Sequence, residues 1–75
     1  MDTENEKVVA CWDFYDSQIN IILEEGRMIG GNPQPVIGEK VTGVGDWGQA
    51  EVVKFLLKTV EGTVPKYDVY VKRLI

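Results

Sequence analysis

The 75-residue chain contains no histidine, one cysteine and three prolines. Without histidine it lacks the side chain most used as a general base near neutral pH, and with it the commonest nitrogen ligand for metals. With Cys11 alone, an intramolecular disulfide is excluded, and so are a cysteine-stapled secreted scaffold and a zinc knuckle. Long apolar runs are missing as well. Val8-Val9-Ala10-Cys11-Trp12, Ile21-Ile22-Leu23 and Phe55-Leu56-Leu57 fall far short of the roughly 18 residues that a spanning helix needs. Residues Met1 to Glu6 are acidic and polar, the opposite of the basic and then apolar start of a secretory signal. These absences predict a cytoplasmic, non-enzymatic protein with no metal, no cofactor and no membrane partner. Cys11 reads as a small buried apolar residue, because no lysine, arginine or helix start lies beside it to lower its pKa.

What is present is a modest core and an uneven charge. Apolar residues make up 44% of the chain, enough for one hydrophobic core. A domain this short buries only about 60% of the surface its unfolded chain exposes, so a two-lobed enzyme with a cleft is excluded. Residues 7–75 read as one small domain preceded by a flexible acidic tail over residues 1–6. The net charge of −4 divides into −6 over residues 1–25 and +2 over residues 26–75. Such polarity suits an acidic face docking on another protein with a basic surface, or self-association of acidic end to basic end. The sequence pI near 4.6 argues against general affinity for nucleic acid.

Lys7 to Tyr15 has the β-branched and aromatic content of a strand, with Val8, Ala10, Trp12 and Phe14 on one face. Asp16-Ser17 is a turn signal, and Ile19, Ile21 and Leu23 continue the alternation into a second strand that ends at Glu25-Gly26. Gly30, Gly31, Pro33 and Pro35 place a loop between Arg27 and Gly38, and Glu39 to Val44 reads as a short third strand. Tyr67, Val69 and Val71 alternate with Asp68, Tyr70 and Lys72 in a last strand.

Residues 47–61 decide the fold class. Glu51, Lys54, Lys58 and Glu61 recur at spacings of three and four, opposite Ala50, Val53, Leu57 and Val60. Asp46 stands at a capping position, Gln49 three residues on, and Gly62 past the last turn. The spacing predicts a helix and an α+β domain of order ββ-β-α-β. The alternative is a strand with Val53, Phe55 and Leu57 facing inward, in a small all-β five-stranded barrel. Gly48, then Val52 and Val53, then Tyr67 to Val71, resemble a barrel of the Tudor kind over residues 38 to 74.

Gly43-Val44-Gly45-Asp46-Trp47-Gly48 matches G-x-G-x-x-G, the dinucleotide fingerprint. That fingerprint serves a fold of several parallel strands, which this length does not supply, and Asp46 sets a negative charge where the phosphate would sit. The glycines read instead as a tight turn with Trp47 packed beside it. Glu24 and Glu25 point to opposite faces of a strand, Asp13 and Asp16 flank a turn, and Ser17 has no base near it. The expected function is therefore a protein-binding module acting by surface occupation: a small inhibitor, adaptor or accessory subunit. Its contact residues would be Asp13, Asp16, Glu24 and Glu25 for charge, with Tyr15 and Trp47 as aromatic anchors. A homo-oligomer suits a small sheet with edges to cover. The alternative function is a nucleic-acid-associated barrel that uses Lys54, Lys58, Lys66, Lys72 and Arg73 as a basic patch.

Overall fold

The computed structural model describes residues 8–62 and 64–74. Among them there are five strands and no helix: β1 (Val8–Asp16), β2 (Ile22–Gly30), β3 (Lys40–Val44), β4 (Trp47–Glu61) and β5 (Val64–Arg73). The sheet runs β2-β1-β5-β4-β3 and curls into a half-barrel. Two antiparallel units, the β1–β2 hairpin and the β3–β4–β5 meander, are joined by parallel pairing of β1 with β5. The acidic tail over residues 1–6, and Lys7 at the expected start of the first strand, lie outside the described residues.

The α+β expectation is overturned by β4, and the all-β barrel stands in its place. The helix-like spacing has a physical origin in two β-bulges, where the pairing with β5 shifts between Val52 and Lys54 and again between Leu57 and Thr59. Each bulge adds a residue and turns a step of two into a step of three. Ala50, Val52, Phe55, Leu57 and Val60 consequently share the inner side at steps of two, three, two and three, opposite Arg73, Val71, Val69, Tyr67 and Pro65. A strand bulged twice thus imitates the period of a helix. Asp46 caps nothing: Gly45-Asp46 is the two-residue loop of the β3–β4 hairpin, closed by the Val44–Trp47 pair. Gly45 at φ 57 supplies the positive dihedral that such a loop needs at its first position.

The inner side forms the core, with Ala10, Trp12, Phe14, Val44, Ala50, Val52, Val69 and Val71 buried and Leu23, Ile29, Val41, Trp47, Phe55 and Tyr67 packed against them. Val41 and Val44 both reach it because Gly43, at φ 66, breaks the alternation of β3. The β2–β3 connection covers one end: the Trp12 indole N–H donates to the Pro33 carbonyl at 3.0 Å, and Pro35 is fully buried. β2 also runs past its expected end, because the chain at Gly26 bulges instead of turning away.

Candidate functional site

The curl gives the sheet an outer face, and strand register sorts its side chains into rows. Ile22, Tyr15, Tyr70 and Lys54 form one row across β2, β1, β5 and β4. The next holds Asp13, Asp68 and Leu56, and the one beyond it Met28, Cys11, Lys66 and Thr59. Lys72, Glu51 and Lys40 continue the face on the far side of the tyrosines.

In the tyrosine row, the Tyr15 and Tyr70 rings stack at 5.2 Å between centroids and 23° between planes. The Lys54 ammonium lies 4.6 Å from the Tyr70 centroid, a cation–π contact across the β4–β5 pair. Loss of hydration, followed by the negative charge of Asp68, pushes the Tyr15 phenol above its ordinary value.

The carboxylate row is where the structure departs furthest from a surface reading. Asp13 is buried at 8% exposure, and its Oδ1 accepts the Gly26 backbone N–H at 2.7 Å. Gly26, at φ 72, belongs to the extra chain that β2 carries between the partners of Trp12 and Phe14, so its amide has no ladder partner and the carboxylate takes that place. Lys58 stands at the second bulge of β4 and reaches over β5, setting its Nζ 3.7 Å from Asp13 Oδ2. Asp68, then Tyr15 and Asp13, hold the Lys58 ammonium above the usual lysine range. Asp68 Oδ1 is buried and accepts no hydrogen bond from the described residues.

Glu24 lies on the inner side, at the seam between the sheet's two edge strands. Its carboxylate accepts from Arg27 Nε and Nη2, both at 2.8 Å, while Arg27 also donates to the Thr42 and Gly43 carbonyls of β3 at 3.3 and 2.6 Å. The guanidinium sits 5.1 Å from the Phe14 ring centroid. The hydrogen bonds from Arg27 hold the Glu24 carboxyl below the ordinary glutamate value, assisted by the Gly45 N–H. Beyond this clamp the seam widens into a cleft of about 320 Å³ lined by Ile29, Asn32, Lys40 and Val41.

Of the residues singled out for docking, the structure therefore places three acids in internal roles. Asp13 holds the bulge, Glu24 holds Arg27, and Asp16 accepts the Gln18 amide in the turn after β1 at 2.8 Å. Glu25 is exposed beside the bulge, Tyr15 is half-buried in its stack, and Trp47 packs half-buried on the core. These six do not share one surface. The basic set is better gathered: Lys54, Lys58, Lys66 and Lys72 all occupy the outer face of β4 and β5, whereas Arg73 falls on the opposite parity, paired with Ala50. Sequence reasoning missed Arg27 and Asp68, and the glycine after Glu24-Glu25 was the one available sign of the bulge that buries Asp13.

Comparison with known protein families, with curated proteins and with solved structures finds no match. The Tudor resemblance of residues 38 to 74 is accordingly one of strand pattern alone. No helix among the described residues is long and apolar enough to cross a membrane, and no group of three or more candidate metal ligands occurs among them.

Proposed function

We propose that this half-barrel is a non-enzymatic, cytoplasmic binding module that holds nucleic acid against the outer face of β4 and β5. The observation that carries the reading is the gathering of Lys54, Lys58, Lys66 and Lys72 on that face, with Lys40 on β3 next to it and the Tyr15–Tyr70 pair between. Phosphate is recognised by ammonium groups at fixed spacing, and a sheet supplies such spacing along and across its strands. The acidic-face reading has less to stand on, since Asp13, Asp16 and Glu24 are engaged within the chain and only Glu25 remains exposed.

The face is not uniformly basic. Lys58 is held by Asp13, and Asp68 and Glu51 share the surface, so three or four lysines at most are free to meet phosphates. The net charge of −4 opposes approach from a distance. Binding is thus expected at low salt only, with log K falling against log salt at a slope of about −2 to −3 for a single strand. Fluorescence titration with single-stranded and duplex oligonucleotides at several salt concentrations tests this. A joint Lys54→Ala, Lys66→Ala and Lys72→Ala variant is expected to lose the binding and the slope. A flat titration of the parent protein at low salt overturns the reading; retained affinity in the variant moves the contact elsewhere.

A further inference from the structure

β4 has a partner on both sides only over its first third. β3 pairs with it from Trp47 to Glu51, and the exchange of hydrogen bonds between Val52 and residues Gly38 and Glu39 ends the contact. Among the described residues the strand is paired with β5 alone from Val53 to Glu61, so the other edge of this nine-residue stretch carries backbone N–H and C=O groups with no described strand beside them. The same stretch bears Leu56, Leu57 and Val60, each more than half exposed. A long, apolar free edge is a template for another strand, and a soluble protein ordinarily shortens, covers or charges it.

We infer that this edge pairs with the same edge of a second copy, antiparallel across a twofold axis, with Lys54 opposite Glu61, Phe55 opposite Val60 and Leu56 opposite Thr59. Two features select this occupant and this register. Pairing with β5 sets Lys54, Leu56 and Thr59 at outer positions and Phe55 and Val60 at inner ones, so the pairs of Phe55 with Val60 and of Leu56 with Thr59 each join positions on one face of the sheet. The twofold then brings a lysine position opposite a glutamate position twice, once on each side of the axis, which is the charge complementarity an isologous contact requires. Only the central pair, Leu57 with Lys58 at the bulge, is out of phase. Moving the register by two residues sets Leu57 against Val60 but leaves Glu61 against Leu56, without the charge pairs. In the assembly β4 of one copy continues into β4 of the other, giving a single sheet of ten strands with the exposed leucines at the join.

The mass in solution, measured by light scattering across a dilution series, tests the inference in the full chain. The parent is expected to run at twice the chain mass at the highest concentrations and to dissociate on dilution. Leu57→Lys is expected to remain at the mass of one chain with an unchanged circular dichroism spectrum. Lys54→Glu and Glu61→Lys are each expected to weaken association at least tenfold by placing like charges opposite each other, and the double variant to restore it. A parent that stays at the mass of one chain throughout overturns the proposal. A dimer that the double charge exchange fails to restore overturns the register on which it rests.

Discussion

Gly45 and Gly48 stand three positions apart in the hairpin between β3 and β4, yet a methyl group on each meets different surroundings. At Gly45 it would lie 2.9 Å from the Leu23 carbonyl oxygen at a φ of 57, whereas at Gly48 nothing lies within 4 Å. Gly45→Ala is therefore expected to cost about 1 to 3 kcal/mol, and Gly48→Ala less than about 1 kcal/mol, in denaturant unfolding. Equal losses would show that the tip of the hairpin does not press on β2. Glu24 gives a second prediction at this scale. Its carboxyl is held below the ordinary glutamate value of 4.5, so the stabilisation is complete above that value and disappears as pH falls through the lower value of the folded state. Glu24→Gln is expected to cost about 1 to 2 kcal/mol at neutral pH and to flatten the acid limb of the stability curve. Parallel curves for parent and variant would remove the ion pair as the source of acid sensitivity.

Among the elements, β2 and β4 owe their shape to bulges, and each bulge has a side chain that depends on it. Asp13→Ala would strand the Gly26 amide inside the sheet, an expected loss of about 1 to 3 kcal/mol, while Asp13→Asn keeps an acceptor oxygen and is expected to lose less. Equal losses from the two, read from denaturant midpoints, would mean that the charge opposite Lys58 matters and the bulge contact does not. The same irregularities set how far the fold was legible in the sequence. β1 and β5 keep their alternation wherever their pairing is regular, β3 keeps it up to Gly43, and the expected spans of all three lie within a few residues of the observed ones. β4 was misread because its bulges at Val53 and Lys58 shift the apolar phase, and β2 was cut short because Glu25-Gly26 has the composition of a turn. The parallel pairing of β1 with β5 left no local trace, since the two segments are separated by most of the chain. For the site, residue type identified the lysines and tyrosines, but which acids were engaged internally depended on register that composition does not encode.

At the scale of the whole molecule, eight buried apolar residues among those described form a core in which Phe14 is the largest of their fully buried side chains. Phe14→Ala is expected to remove about 3 to 5 kcal/mol, comparable with all that a domain of this size holds. The variant should therefore show an unfolded circular dichroism spectrum at room temperature. A cooperative melt in its place would show that the half-barrel draws stability from somewhere other than this core, the copy-to-copy contact at β4 being the first place to look.

The position of β5 has a consequence for how the molecule comes to be. The strand formed last in chain order lies in the middle of the sheet, with β1 on one side and β4 on the other. During synthesis the β1–β2 hairpin and the β3–β4 hairpin can each form early, but neither has a surface on which to join the other until residues 64–73 have left the ribosome. Val69 and Val71 then enter a core that already awaits Phe14 and Val52. Folding is consequently gated by the closing of a long loop between β1 and β5, slow for so small a chain. Until it occurs the nascent protein exposes two separate apolar half-sheets, the interval in which a chaperone would have most to hold.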